Sequence, residues 1–269
     1  MMNKKKVVVI GGGLGGLSAA ISLQQKGYDV HLYEQNNHLG GKLNRLEQDG
    51  FGFDLGPSIL TMPHIFETLF RQSGKHMRNY IKIQRLNHQW RSFFPDGNVL
   101  DLYEDLRDME EQNPSLTEKD IKQYTNLLKY SKKLYDITEQ GYFDQGLDNM
   151  KEVLQYHGVF QSLSKFDLSS TMFDAIDKRI GNPQFRDMLS YIVKYVGSSA
   201  YDAPAVLNMM LYMQHAQGIW YVPGGMHRLA DALVKLAEEI GVTFHLGKKI
   251  VKLEKGKRTI TAAYVDDGT

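Results

Sequence analysis

Apolar residues recur along the chain with two periods, which predict alternating strands and helices at its start. Val7 to Ile10 form a continuous β-branched run, typical of a strand buried on both faces of a parallel sheet. Apolar residues then follow at helical spacing from Leu14 to Leu23, and Gly27 marks the end of that helix. A second strand over residues 30–33 completes a predicted βαβ unit with a right-handed crossover.

The middle of the chain has a mainly helical pattern. The stretch FFPDGNVLDLY places an Asp96-Gly97 turn between two apolar runs and predicts a hairpin. Ser115 with Glu118 predicts a capping box at the start of a long helix. Further helices are predicted over residues 150–166, 184–195 and 204–216.

The sheet pattern returns near the end of the chain. A helix over 226–239 precedes VTFHL, residues 242–246, a predicted parallel strand, and alternation over 260–265 predicts another strand. Asp267-Gly268 predicts a hairpin turn after which no return strand follows. We therefore expect an α/β fold with an incomplete, discontinuous Rossmann-like domain and a mainly helical domain inserted in it. The expected segments are 1–88, 89–217 for the insertion, and 218–269.

Composition narrows the possible functions. The 269 residues, 42% hydrophobic, are enough for a sizeable core, and the net charge of +1 gives no electrostatic case for nucleic acid. The chain has no cysteine, which excludes disulfides and thiolate chemistry and is compatible with the cytoplasm. Glycines interrupt the first apolar run, so we predict no secretory signal. The nine histidines lack metal-ligand spacing, and we predict no metal site.

The glycine turn after the first strand carries the strongest functional signal. Gly11, Gly13 and Gly16 satisfy GxGxxG, whose glycines allow a tight turn, approach to a pyrophosphate and close helix packing. Glu34 ends the second strand, where an acid accepts a hydrogen bond from a ribose hydroxyl and disfavours a 2'-phosphate. A purely structural turn is the alternative, but the complete order of elements favours a dinucleotide.

A second glycine pair follows this unit. Gly40 and Gly41 permit close backbone approach to a ligand, and Lys42 can supply positive charge to phosphate. The alternative is a surface turn with a solvated lysine. Phe53, Asp54, Gly56 and Pro57 form a further cluster whose function the residues alone do not specify.

Taken together, these motifs resemble the flavin amine oxidase superfamily. The pattern GxGxxGL, an acid, then GGR or GGK matches residues 11–17, Glu34 and 40–42, with Lys42 in place of the commoner arginine. Within it the chain is similar to bacterial carotenoid desaturases and oxidases through DGFGFDLGPSILTMP and WYVPGGMHRLADAL, and most to the branch acting on C30 carotenoids through YEQNNHLGGK, HQWRSFFPDG and KYVGSSAYDAPAVL. Members of the family continue well beyond residue 269.

The resemblance implies FAD as cofactor and transfers a set of binding positions. Residues 1–88 and 218–269 would form the FAD-binding domain and 89–217 the substrate domain. Ile250 would approach the adenine through its backbone. The implied FAD-binding residues are Gly11, Gly12, Gly13, Leu14, Gly15, Gly16, Glu34, Gly40, Gly41, Lys42, Gly56, Pro57, Ser58 and Ile250. Catalytic residues are not implied.

The implied activity is oxidation of a terminal methyl group of a C30 carotenoid to an aldehyde, with oxygen as oxidant. A carotenoid desaturase of the same lineage and an inactive, truncated nucleotide-binding fragment remain alternatives. Without the rest of the family's length, we expect weak FAD binding or poor folding. The sequence does not determine the oligomeric state.

Two surfaces follow from the expected substrate. Aromatic and methionine residues of the insertion, with Trp220 just after it, are candidates for a channel lining, although such residues more often form ordinary core: Tyr191, Tyr195, Tyr201, Met209, Met210, Tyr212, Met213 and Trp220. Peripheral contact with the inner face of the membrane is a hypothesis, for which a candidate patch combines cationic and apolar side chains: Lys75, His76, Met77, Arg78, Tyr80, Ile81 and Lys82. A solvated face is the alternative.

Overall fold

The computed structural model of the protein describes residues 4–139, 146, 152, 167, 169–266 and 268. The strands among them are β1 Lys6–Ile10, β2 Asp29–Tyr33, β3 Arg45–Gln48, β4 Phe51–Asp54, β5 Gln84–Leu86, β6 His88–Phe93, β7 Val99–Tyr103, β8 Ile219–Tyr221, β9 Thr243–His245, β10 Ile250–Lys255 and β11 Ile260–Val265. The α-helices are α1 Leu14–Gln25, α2 Pro63–Gln72, α3 Leu106–Gln112, α4 Glu118–Thr138, α5 Met172–Asp177, α6 Pro183–Ser190, α7 Met209–Gln217 and α8 His227–Glu239.

The chain divides into two compact units. Unit 1 contains residues 1–85 and 220–269, and unit 2 contains residues 86–219. Among the described helices, none has the length and apolar character needed to cross a membrane.

Unit 1 is built on a parallel sheet in the order β1-β2-β9. Lys6 pairs with Asp29, and His31 pairs with Thr243, so the βαβ unit and the later parallel strand are confirmed. Helices α1 and α8 pack together and share one core with the sheet. Its buried side chains include Leu17, Ile21, Val30, Leu32, Leu229, Leu233 and Leu236.

The first strand differs from its prediction. Val8 and Ile10 are 42% and 51% exposed, so β1 is not buried on both faces. Successive side chains of a strand point to opposite faces. Val9 packs against the core that contains α1, whereas Val8 and Ile10 point away from it. A continuous β-branched run therefore identified the strand but not its burial.

Two antiparallel hairpins complete unit 1. Strands β3 and β4 pair from Arg45 with Asp54 to Gln48 with Phe51. Their turn residues, Asp49 and Gly50, both have positive φ (52° and 82°), as the tight hairpin turn requires. This hairpin was not predicted, although its Asp-Gly signal is present in the sequence. The second hairpin pairs β10 with β11 and confirms the strand over 260–265, while the turn residue Asp267 lies outside the described residues.

Unit 2 combines one hairpin with helices. Strands β6 and β7 pair antiparallel around Asp96-Gly97, which confirms the predicted hairpin. The core joins β7 to the helices through buried side chains that include Leu100, Met109, Tyr124, Leu127, Phe185 and Leu211. Of the predicted helix over 150–166, only residue 152 is among the described residues.

The start of α4 corrects the predicted capping box. Thr117, not Ser115, is the N-cap: its hydroxyl accepts from the Asp120 amide at 3.3 Å, and the Asp120 carboxylate accepts from the Thr117 amide at 2.9 Å. Two overlapping pairs, Ser115 with Glu118 and Thr117 with Asp120, have the required spacing. The second places Asp120, the buried residue of the first turn, where its carboxylate accepts from the N-cap amide.

Two predicted helices of unit 2 are partly tight 3-10 turns. Helix α6 ends at Ser190 and continues as a 3-10 segment over Tyr191–Val196. Before α7, the segment Ala205–Asn208 is also a 3-10 helix, with Pro204 immediately before it. The hydrophobic period predicts helical structure in both segments, but it does not distinguish an α-helix from a 3-10 helix at their ends.

Candidate cofactor site

The glycine turn between β1 and α1 leaves the N-terminus of α1 open. Gly13 is the N-cap and has no side chain to cap the helix, and the first turn contains no acidic residue. The first amides of an α-helix lack partners within the helix, and the helix dipole makes this end electropositive. The amides that begin at Leu14 can therefore bind an anion such as a pyrophosphate.

Gly16 has no room for a side chain, and Gly12 is closely packed. A Cβ on Gly16 would lie 1.8 Å from the carbonyl oxygen of Gly11, and one on Gly12 would lie 2.3 Å from Cδ2 of Leu39. Gly11 itself donates to the Tyr33 carbonyl at 2.8 Å, which ties the turn to β2. Close packing of α1 against the turn thus depends on the missing side chains.

The second glycine pair lies against the first. The Gly40 amide donates to the Gly12 carbonyl at 2.8 Å, and Gly13 and Gly40 form an isolated parallel bridge. Gly41 has a φ of 59°, and a Cβ there would lie 3.0 Å from Cα of Gly13. The structure therefore brings the two motifs together into one backbone surface beside the open end of α1.

Glu34 is held at the edge of this surface. Its Oε2 accepts from the Gly12 amide at 2.6 Å, and its Oε1 accepts from the backbone amide and side-chain amide of Asn36 at 2.8 and 2.7 Å. Burial would raise the pKa of Glu34, but the hydrogen bonds from Asn36 and Gly12 outweigh it and hold the pKa below its ordinary value. The carboxylate is thus ionised, and Oε2, with one of these bonds, retains capacity for a hydroxyl donor. Asn36 is a residue that the sequence analysis missed.

The other residues predicted to bind FAD lie in three segments around the glycine loops and Glu34. Lys42 is exposed, and a Cβ on Gly56 would lie 2.0 Å from its carbonyl oxygen, so these two segments touch. Pro57 and Ser58 follow on the exposed surface. Ile250 begins β10, two residues after Lys248, whose amide donates to the Glu34 carbonyl at 2.9 Å. The backbone before Ile250 thus lies beside Glu34, whereas no described hydrogen bond joins Ile250 itself to the glycine loops.

Asp54 has a role that the sequence analysis did not assign. Its two carboxylate oxygens accept from the Met226 amide at 3.1 and 3.0 Å, immediately before α8 begins. A Cβ on Gly225 would lie 2.8 Å from Oδ1 of Asp54, so glycine leaves room for this contact. The segments DGFGFD and YVPGGM, which carried the family resemblance separately, are therefore partners in space.

Replacing Asp54 with alanine is expected to destabilise unit 1 by about 1–2 kcal/mol, because α8 loses an anionic cap at its N-terminus. Asp54→Asn keeps an acceptor oxygen and should lose less than about half as much. Chemical denaturation of both variants measures the difference. Equal stability of the alanine variant and the parent would show that the contact does not cap the helix.

Two predicted surfaces are not assembled as expected. Within unit 2, Met209 and Met210 are buried in the core, while Tyr191 and Tyr201 are exposed, so the proposed lining residues of that unit do not share one face. Trp220 belongs to unit 1. Helical spacing alone does not distinguish a core stripe from a lining stripe.

The candidate membrane patch keeps its charges but loses its apolar members. Met77 and Ile81 are only 5% and 8% exposed and pack in the core of unit 1. Tyr80 is half-buried and donates to Glu239 at 2.6 Å, and Lys75 pairs with the same carboxylate at 2.9 Å.

Among the described residues no group of three or more potential metal ligands is found.

The glycine loops, the open end of α1 and the Glu34 carboxylate form one surface that can bind an anion beside a hydroxyl donor. Residues 14–269 match the family described as flavin containing amine oxidoreductase, and the chain belongs to this family. Its cofactor is therefore a flavin.

Proteins of similar sequence carry a more specific name than the family. The chain is 56% identical over 264 residues to 4,4'-diaponeurosporene oxygenase of Staphylococcus aureus strain bovine RF122 / ET3-1, covering 98% of this chain and 53% of that protein. The protein of that name from strain USA300 is 55% identical over the same length, with the same coverage. The chain thus spans about half the length of the curated relatives it matches.

Solved structures of low sequence identity share the fold. Putrescine oxidase bound to putrescine superposes with a TM-score of 0.64 at 15% identity, covering 99% of this chain and 56% of that one. An oxidoreductase from Methanosarcina mazei gives a TM-score of 0.61 at 17% identity, covering 97% and 56%. These likenesses confirm the predicted α/β fold.

Proposed function

We propose that the chain binds FAD through unit 1 and forms part of an oxygenase that oxidises a terminal methyl group of a C30 carotenoid to an aldehyde. The observation that carries the proposal is the open end of α1 enclosed by two glycine loops, with the Glu34 carboxylate fixed beside it. The 56% identity to a 4,4'-diaponeurosporene oxygenase supports the substrate class. Because the chain spans about half of that protein, the whole activity is part of the proposal.

The predicted residues divide the contacts with FAD among them. The amides from Leu14 onward face the pyrophosphate, and the exposed ammonium of Lys42 adds positive charge. Oε2 of Glu34 accepts from the adenosine ribose, and the backbone at Ile250 approaches the adenine. Gly56, Pro57 and Ser58 extend the surface beside Lys42. The Glu34 carboxylate also disfavours any cofactor with a 2'-phosphate, because like charges would meet there.

The reaction needs chemistry that the side chains do not supply. A methyl group and dioxygen give an aldehyde and water, so two hydrogens leave the carbon and one oxygen atom enters it. Bound FAD supplies the electron transfer, and the protein supplies orientation and exclusion of water. We assign unit 2 to the apolar substrate, in keeping with the predicted insertion at 89–217.

A cytoplasmic location with peripheral contact at the inner face of the membrane belongs to the same proposal. A C30 polyene partitions into the bilayer, so the protein must meet its substrate at a membrane surface. The exposed cations Arg78 and Lys82 support an electrostatic contact, while the burial of Met77 and Ile81 argues against insertion of this patch.

Expression of the chain in bacteria that accumulate diaponeurosporene tests the proposal. Mass spectrometry should show a product that has gained one oxygen and lost two hydrogens. Flavin absorbance of the purified protein would overturn the weak FAD binding expected from the sequence. Glu34→Gln serves as the comparison and should form less product. A product that has lost hydrogen without gaining oxygen would identify a desaturase instead. Bound flavin with unchanged carotenoid would contradict an oxygenase activity of this chain.

A further inference from the structure

Unit 1 contains a second concave site, which we call the basic pocket. It has a volume of about 580 Å³ and lies between the segment that contains the 3-10 turn Met77–Asn79 and the exposed face of α8. Its charged lining residues are Arg78, Lys82, Arg228, Asp231 and Lys235. Ligand pockets of proteins have volumes of roughly 300–1,000 Å³, so the space accommodates a small molecule or a lipid headgroup.

The local sequence explains why the cations line this pocket. On α8, residues 228, 231 and 235 share the exposed face, while Leu229, Leu233 and Leu236 pack in the core. In the other wall, Met77 and Ile81 are buried, while Arg78 and Lys82 are exposed. Two buried anchors thus position two cations toward the helix.

The basic pocket is separate from the candidate cofactor site. Ala230 of α8 faces the second glycine loop, since a Cβ on Gly40 would lie 2.9 Å from Cβ of Ala230. Arg228 and Asp231, the pocket residues on either side in sequence, are exposed on another face of the helix. None of the described residues predicted to bind FAD lines the basic pocket.

The charges of the pocket are poorly balanced. Four cationic side chains and one carboxylate give a net charge of +3. Among the described residues, Arg78, Lys82 and Arg228 have no ion-pair partner, and Asp231 pairs with none of the four within ion-pair distance. Lys75, just outside the pocket, instead has its Glu239 partner at 2.9 Å. Like charges gathered in a concavity raise its positive potential and attract an anion.

Gly224 and Tyr80 lie beside two of the cations that line the basic pocket. A Cβ on Gly224, whose φ is 90°, would lie 2.3 Å from Nε of Arg228, so glycine lets the guanidinium lie against the loop. The ammonium of Lys235 lies 5.4 Å from the ring centre of Tyr80. The arginines present planar forks suited to two oxygens of one phosphate, and the lysines add point charges.

We propose that the basic pocket binds a phosphate group, carried either by a small soluble molecule or by an anionic lipid headgroup. The phosphate accepts hydrogen bonds from Arg78 and Arg228, and Lys82 and Lys235 neutralise its charge. The remaining volume takes the glycerol or sugar to which the phosphate is attached. This inference rests on the pocket alone and does not depend on the proposed oxygenase function.

Two probes distinguish the two sources of phosphate. Glycerol 3-phosphate is titrated by calorimetry, and vesicles of phosphatidylcholine with phosphatidylglycerol are compared with pure phosphatidylcholine vesicles by co-sedimentation. The test variant combines Lys82→Gln with Arg228→Gln. The control combines Lys119→Gln with Lys122→Gln, two exposed lysines of unit 2, and changes the net charge equally.

The parent and the control should bind at least one probe, and the test variant should bind it about tenfold more weakly or worse, because two charge-assisted contacts are lost. Binding of glycerol 3-phosphate would identify a soluble ligand, and binding of only the phosphatidylglycerol vesicles would identify a headgroup. Equal losses in the test and control variants would overturn the proposal, as would failure of the parent to bind either probe. Thermal unfolding of both variants should match the parent, since all four residues are exposed.

Discussion

Replacing Gly16 with alanine is expected to destabilise unit 1 by about 3 kcal/mol or more. The new Cβ would lie 1.8 Å from the Gly11 carbonyl oxygen, and both atoms belong to backbone that other contacts fix. Gly11 is tied to β2 through Tyr33, and α1 is held by the buried residues Leu17 and Ile21. Relief would therefore require separation of the helix from the sheet. A fall of roughly 6–12 °C in the unfolding temperature is the expected measurement.

Gly15→Ala is the matched control for this substitution. A Cβ at Gly15 meets no heavy atom within 4 Å, and the residue lies in the same turn of the same helix. Alanine favours helix more than glycine does, by up to about 1 kcal/mol. The control should therefore equal or exceed the parent in stability. If both variants lose the same stability, the close contact at Gly16 is not the cause.

Glu34→Gln is expected to weaken FAD binding by about 10–100-fold. The carboxylate accepts three hydrogen bonds from protein donors, and an amide at this position would turn at least one NH group toward a donor. Losing a charge-assisted hydrogen bond costs about 1.5–3 kcal/mol. The variant would also lose the anionic acceptor proposed for the ribose. Fluorescence titration with FAD measures the change.

Glu47→Gln provides the control, because Glu47 is an exposed carboxylate of unit 1 that pairs only with Arg45 among the described residues. FMN provides a second comparison, since it lacks the adenosine ribose and should respond less to the change at Glu34. Equal FAD affinities of the two variants would contradict the role of Glu34.

Glu34→Gln should also change how the free energy of unfolding depends on pH. The folded-state pKa of Glu34 is held low because hydrogen bonds from Asn36 and Gly12 outweigh the effect of burial. A carboxyl with a lowered pKa stabilises the fold above its unfolded-state pKa, and this contribution is lost as the pH falls through the folded value. As the pH falls below the ordinary glutamate pKa of about 4.5, the free energy of unfolding should therefore fall more for the parent than for Glu34→Gln.

Gly16 and Asp54 show which contacts a local sequence motif predicts and which it does not. Gly16, its strand and its helix lie within one contiguous segment, so a motif with fixed spacing predicted both the fold and the close packing. Asp54 and Met226 are 172 residues apart, and nothing in either segment specifies that they meet. The family resemblance located both segments but did not join them.

The difference between local sequence and tertiary packing also explains which predictions were wrong. Thr117 and Ser115 both satisfy the spacing of a capping box, and the structure uses Thr117, whose partner Asp120 is buried. The β-branched residues of β1 specify a strand, but the position of the helices decides which face is covered. Methionines at helical spacing likewise specify a helix without revealing whether they face a core or a cavity.

By itself, the sequence determined the βαβ unit, the glycine motifs, the position of Glu34 at the end of the second strand and membership of the flavin-dependent family, because these depend on short-range spacing. Tertiary structure alone decided the contact of the two glycine loops, the cap from Asp54 to α8 and the basic pocket between Arg78 and Arg228. Those features join segments far apart in the chain. Periodicity specifies which face of an element is apolar, whereas packing specifies which element that face meets.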